Sequence, residues 1–203
     1  MISDVWRPGR DREDGGSKAA EGGSMNVDLE LVLPEKKHAL KNLVKMYCYE
    51  WSQYNGIDID QNGEYAFERD LDRFFSRERH FPYFALLDGK IAGFVLVDDD
   101  FDVFTDSDHA ISEFFILHKY RRMGIGKRAA IEAITRHPGK WEIKMHPKNK
   151  GSIVFWRAVV EAMVGDDYAI VAECGKARYF DGSLGTVLGF SWGNDGVPGR
   201  GQA

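Results

Sequence analysis

Cysteine is scarce: Cys48 and Cys174 are the two thiols in 203 residues. Two thiols make neither a disulfide framework nor a metal cluster, so no metal site is expected and the expected setting is a reducing cytoplasm. Long apolar runs are lacking as well. Nothing approaches the roughly 18 residues of a membrane-spanning helix, and the N-terminus lacks the apolar centre of a secretory signal, so no membrane partner is expected. Positive charge is not in excess. Lys and Arg number 27 against 32 Asp and Glu, a net charge of −5 that weighs against nucleic acid as a partner and admits a cationic one. With 43% hydrophobic residues and no internal repeat, the chain can bury one core and is short for two.

Residues 1–24 are rich in Gly and charge and show almost no apolar periodicity, so they read as a disordered leader or an appended extension. One folded domain is expected over 25–192, with Met25 its likelier start, and a flexible tail over 193–203. Within the domain Val27 to Val32 reads as a strand. A helix opens at Pro34 and carries Leu40, Leu43, Val44, Tyr47, Trp51 and Tyr54 at helical spacing. A second helix is expected with Phe67, Leu71, Phe74 and Phe75 on one face, and Arg69, Asp70, Asp72 and Arg73 mostly outside it. Phe81 to Leu87 and Ile91 to Val97 form a hairpin about Asp88-Gly89-Lys90. After an acidic connection from Asp98 to Asp108, further elements alternate: strand Ala110 to Leu117, helix Lys127 to Arg136, strand Trp141 to Met145, and helix Ser152 to Val164. Strands Ala169 to Cys174 and Gly185 to Trp192 close the chain. The pattern predicts an α/β or α+β fold, a mixed sheet with helices on its faces.

The densest chemistry lies in Glu113 to Lys127, EFFILHKYRRMGIGK. An apolar strand runs into a basic, glycine-spaced turn that opens a helix. Unpaired N–H groups at a helix start, the positive end of its dipole and glycines that admit close approach together make a cradle for a pyrophosphate. Dinucleotide, ATP and coenzyme A are all possible occupants. A G-x-G-x-x-G fingerprint is missing, and Gly124-Ile125-Gly126-Lys127 lacks the spacing and the Ser or Thr of a phosphate loop, which leaves R-x-x-G-x-G over Arg121, Gly124 and Gly126.

At this point the chain resembles the GNAT superfamily of acyl-CoA-dependent N-acyltransferases. Asn149 to Trp156, NKGSIVFW, matches the superfamily's N-x-x-A-x-x-F-Y with Ser for Ala and Trp for Tyr. The two motifs also fall in the family's order, and the likeness covers roughly Val27 to Trp192. EFFILHKYRRMGIG, PGKWEI and FWR look closest to bacterial members described only as predicted acetyltransferases, which specifies no substrate.

The resemblance implies a central, mostly antiparallel twisted sheet of six to seven strands with about four helices. It further implies acetyl-CoA as acyl donor, no metal, and direct attack by a primary amine without an acyl-enzyme. On the same basis the backbone of Arg121, Arg122, Met123, Gly124, Ile125, Gly126 and Lys127 would hold the pyrophosphate. The strand ending at Ile116 would open at a bulge and pair with pantetheine through Phe115 and Ile116, one of whose N–H groups would hold the oxyanion. Asn149 would hydrogen-bond pantetheine, with Phe155 and Trp156 lining its channel. Cys48 and Cys174 lie outside both motifs and are not expected to be nucleophiles. A non-catalytic acyl-CoA sensor on the same fold is the alternative, motivated by Trp156. Monomer and homodimer are both compatible with the family.

An attacking amine must lose a proton, and Glu113, a carboxylate inside an apolar run, is the candidate base; otherwise it pairs with an Arg or caps a helix. His109 and His118 flank the same strand and read as surface or satisfied histidines. Trp156 can donate a hydrogen bond but cannot protonate a thiolate near neutrality. A thiol pKa of about 8.5 lets CoA leave as thiolate, or an acid comes from Tyr120, Tyr168 or Tyr179. The acidic connection either draws a cationic amine or is a solvated hairpin tip, the plainer reading, with Phe101 and Phe104 favouring an ordered flap. Tyr47, Trp51 and Tyr54 read first as core, although in this superfamily the first helices and the loop Asn55 to Gly63 border the acceptor.

Overall fold

The computed structural model describes residues 26–67 and 69–193. The expectations for residues 1–24 and 194–203 lie outside the described residues. Strands β1 (Val27–Leu31), β2 (Phe81–Leu87), β3 (Lys90–Asp98), β4 (His109–Ile116), β5 (Gly139–Met145), β6 (Tyr168–Arg178) and β7 (Leu184–Trp192) form one sheet in the order β1-β2-β3-β4-β5-β7-β6. Every pair is antiparallel except β4–β5. Helix α1 (Lys37–Asn55) lies on one face; α2 (Ile125–Arg136) and α3 (Lys150–Val164) lie on the other, so two apolar clusters sandwich the sheet.

Local chemistry explains the boundaries. Pro34 starts a single 3-10 turn that feeds α1, and Leu40, Leu43, Val44 and Cys48 bury its inner face. The helix ends at Gly56, in the left-handed conformation, whose N–H returns to the Ser52 carbonyl at 3.0 Å. The β2–β3 hairpin turns on Asp88 and Gly89 alone, both at positive φ, and Lys90 already belongs to β3. That is the two-residue turn whose twist suits a right-twisted ribbon.

The second predicted helix is corrected. Between α1 and β2 the described residues hold one 3-10 helix, Leu71–Phe75, so three α-helices stand where about four were expected. Leu71 and Phe74 are buried as that pattern required. Asp70, however, caps the turn by accepting the Asp72 N–H, and Arg69 is drawn away to buried carboxylates. Tertiary ion pairing outweighs a weak local helical preference there.

Two irregularities shape the centre of the sheet. Register across β3–β4 shifts between Leu96 (opposite Glu113) and Val97 (opposite Ile111), which makes Ser112 the extra residue of a bulge. On its other side β4 pairs with β5 only over His109–Ile111, against Trp141–Ile143. Because β5 keeps its ladder with β7 as far as Met145, the sheet splits beyond Ile111 and the end of β4 loses its neighbour.

Candidate functional site

The split opens a cleft of about 1200 Å³, and most of the residues singled out in the sequence line it. Glu113, Phe115, Ile116, Arg121, Arg122, Gly124, Gly126, Lys127, Asn149, Phe155 and Trp156 share that wall. Met123 and Ile125 do not. Met123 is exposed and Ile125 is fully buried in the core, so only their backbone could serve a ligand.

The turn before α2 is fixed by conformation. Arg122 (φ 63°) and Gly124 (φ 78°) are both left-handed, and α2 begins at Ile125 with no side-chain cap. Its first N–H groups therefore face the cleft end without an internal acceptor of the usual kind. A Cβ on Gly126 would meet Ile116 and Phe155 only at ordinary contact distance, so the small residue serves what approaches from the cleft. Arg121 plays a different part from its neighbours. Its Nε donates to the Ile116 carbonyl at 2.7 Å and its Nη1 to Glu50 at 3.3 Å, which ties the turn to the end of β4. These residues suit a phosphate-bearing group such as coenzyme A.

The ladder also separates Phe115 from Ile116. Leu117 N–H is bonded to Ala92 O at 2.9 Å, and antiparallel strands alternate bonded and non-bonded pairs. The Phe115 N–H is thus spent on β3, and the Ile116 N–H turns toward the cleft. Asn149 caps α3 through Oδ1, which accepts the Ser152 N–H at 3.0 Å, so any ligand contact falls to its amide nitrogen. Trp156 is buried edge-on to Phe114 and Phe155, at ring-centroid distances of 5.1 and 5.0 Å. It packs, as its chemistry suggested.

Glu113 sits at the centre of a network. Its Oε1 accepts from Arg69 Nε at 2.9 Å and its Oε2 accepts from the Tyr47 hydroxyl. Burial raises the Glu113 pKa above the ordinary carboxylate value, with Arg69 opposing. Burial, and then the Glu113 charge, push Tyr47 well above the usual phenol, so its proton stays in place. Arg69 also reaches the fully buried Asp98 at 3.3 Å, where burial again raises the carboxylate pKa. The Arg pairing that stood as the alternative to a base role is therefore present, and Glu113 also lies on the cleft wall.

Other candidates separate cleanly. His118 is exposed and paired with Glu50, and His109 packs against His137 and Trp141; neither lines the cleft. Of the three tyrosines considered as acids, only Tyr179 lines it. Cys48 is buried at the edge of the cleft and Cys174 lies on β6, remote from it. Among the described residues no cluster of His, Cys, Asp and Glu could hold a metal ion.

The acidic connection is not a solvated tip. Buried Glu142 accepts the N–H groups of Asp102, Val103 and Phe104 at 2.8, 3.0 and 2.6 Å, pinning the segment down, and Phe104 packs on Gly189. Its carboxylates face basic partners: Asp100 with Arg73 at 2.8 Å, Asp102 with Lys144 at 2.8 Å, Asp106 with Lys140 at 2.7 Å. The ordered-flap expectation from Phe104 matches this arrangement.

Sequence reasoning missed Arg69, Glu142, His146 and Asp181. His146 is buried, with Nδ1 accepting the Lys148 N–H at 3.3 Å and Nε2 facing Asp181 at 3.4 Å. Lys148 in turn bridges Asp181 and the Tyr54 carbonyl, each at 2.9 Å, clamping the β6–β7 connection to the end of α1. Apart from the His146–Lys148 contact, no local spacing encodes these partners, which lie 29 to 94 residues apart in sequence.

A model of the Acetyltransferase (GNAT) family matches residues 43–159. No curated protein matches the chain. Among solved structures, a GNAT-family acetyltransferase from Streptococcus agalactiae aligns at TM-score 0.61 and 15% identity, over 83% of this chain and 96% of that one. An acetyltransferase from Thermus thermophilus aligns at 0.58 and 14%, over 81% and 96%. An N-acetyltransferase from Thermoplasma acidophilum, solved with coenzyme A, aligns at 0.53 and 14%, over 83% and 100%. The family match spans more than half of the sequence, the split sheet and its glycine turn have the form the motifs implied, and the chain belongs to the GNAT acetyltransferase family.

Proposed function

We propose that the protein transfers an acetyl group from acetyl-CoA to a primary amine by direct attack, with no acyl-enzyme. The observation that carries this reading is the free end of β4, which runs along one cleft from the half-buried Glu113 to the glycine turn. Coenzyme A supplies the activated thioester. The backbone of Arg122 to Lys127 binds its pyrophosphate, and the edge of β4 aligns its pantetheine. Ile116 N–H receives the negative charge that develops on the thioester oxygen as the amine nitrogen bonds to the carbonyl carbon. Glu113 accepts the ammonium proton, directly or through one water, and its raised pKa brings it closer to that task. As the C–S bond breaks, the thiolate takes up the second proton shed by the amine nitrogen, with Tyr179 on the cleft wall as the candidate relay.

Calorimetric titration with acetyl-CoA, together with thiol release across a panel of amines, tests the proposal. Tight binding lost in Gly126→Glu, and turnover reduced about 100-fold or more in Glu113→Gln, are expected. Binding without release on any amine would instead favour an acyl-CoA sensor; binding untouched by Gly126→Glu would remove the site assignment.

A further inference from the structure

The acceptor end of the cleft carries more information than a general amine site needs. Tyr47, Trp51 and Tyr54 face it from α1, Phe67 from the following loop, and Tyr179 and Phe180 from the β6–β7 connection. Trp51 meets Tyr54 edge-on at 5.7 Å and Tyr179 at 6.0 Å. Tyr47, Trp51, Tyr54, Phe67 and Tyr179 are all only half-buried, so the rings form a lined chamber rather than a closed core. The chamber is also held in shape, because Lys148 ties its two walls together.

Among the described residues its carboxylates are already matched. Glu50 pairs with Arg121 and His118, Asp100 with Arg73, Asp102 with Lys144, Glu113 with Arg69, and Glu142 with three backbone N–H groups. Lys144 also lies 4.6 Å over the Tyr179 ring, taking the face on which a substrate ammonium could have rested. Among the described residues, a polyamine would find no uncompensated carboxylate to hold its second charge. An aromatic ring would find edges and faces at stacking distance.

We infer that the acceptor is a primary amine carried on an aromatic body, an arylalkylamine, rather than a polycation or a short aliphatic amine. The inference rests on the acetyl-transfer reading, since it names the substrate of that same site. Trp51 is its specificity-determining residue: the ring of the acceptor stacks in the chamber, and its amine projects past Tyr47 toward Glu113.

The test uses the full chain in two measurements. Calorimetry on protein saturated with coenzyme A compares 2-phenylethylamine with spermidine and butylamine, and thiol release with acetyl-CoA gives kcat/KM for all three. The aromatic amine should bind, and should exceed the other two in kcat/KM by about tenfold or more. Trp51→Ala should collapse that preference, and Trp51→Phe should keep most of it. Spermidine or butylamine equal to or better than 2-phenylethylamine overturns the inference, as does binding of none of the three. Selective binding of 2-phenylethylamine with no thiol release from any amine upholds the chamber and overturns the acetyl-transfer reading.

Discussion

Replacing Arg69 by Met tests the network around the candidate base most directly. Arg69 Nε lies 2.9 Å from Glu113 and its Nη1 3.3 Å from Asp98, so one guanidinium neutralises two buried carboxylates. A pair at this separation is worth about 4 kcal/mol at an effective dielectric constant near 20. The Arg69 side chain is 31% exposed, so solvent screening reduces that figure. Arg69 holds the Glu113 pKa down against burial; its loss must move that pKa further up. The acid limb of kcat/KM should therefore shift to higher pH. It should vanish in Glu113→Gln, and the double variant should show no shift at all. The same substitution strands buried charge and should cost about 3–5 kcal/mol of stability near neutral pH, much of it recovered in acid once both carboxylates are protonated. Urea titrations at pH 4 and 7.5 measure that part. An acid limb that stays put in Arg69→Met would refute the assignment of Glu113 as the titrating base.

Gly93→Ala places a methyl group against the Phe115 carbonyl, well inside contact, so β3 and β4 must part. A loss of about 1–3 kcal/mol in chemical denaturation is expected, with weaker acetyl-CoA binding because the displaced backbone includes Ile116. Glu142→Gln loses part of the acceptor that holds the N–H groups of Asp102, Val103 and Phe104, and those amides should exchange hydrogen faster than the rest of the sheet. Equal protection in both proteins would mean that Phe104 on Gly189 suffices. His137, lowered to about 4 by burial and then by His109 and Arg136, shares a hydrogen bond of 2.8 Å with the Tyr83 hydroxyl. Its folded pKa lies below its unfolded value of about 6.5, so its contribution is complete above pH 6.5 and lost as pH falls toward 4. Discounted for partial exposure, about 2 kcal/mol should disappear over that window, and His137→Asn should flatten it.

Helices and strands with strong periodicity were legible because each buries one face locally. The stripe of α1, the alternation around Asp88-Gly89, and the strand, turn and helix from β4 to α2 follow from residues within a few positions of one another. Asn149 and the glycine turn were readable for the same reason: Asn149 caps its own helix through Oδ1, and the turn is set by its own backbone conformation. The predicted second helix failed where that logic fails. Phe67 to Phe75 carries a helical pattern, but Arg69 gains more from Asp98 and Glu113 than from another helical turn.

Sequence alone pointed to the family, to the order of elements apart from the second helix, and to the glycine turn and Glu113 that line the cleft. Only the tertiary structure decided which groups meet. The split between β4 and β5 depends on a bulge and on β7 holding β5 away, and neither is a property of β4 itself. The acidic connection read as a negative field becomes a neutralised flap once Glu142, Lys140 and Lys144 come to it from β5. The aromatic stripe of α1 became a chamber for the same physical reason: residues far apart in the chain supplied Tyr179 and the opposite wall, and no local spacing encodes such contacts.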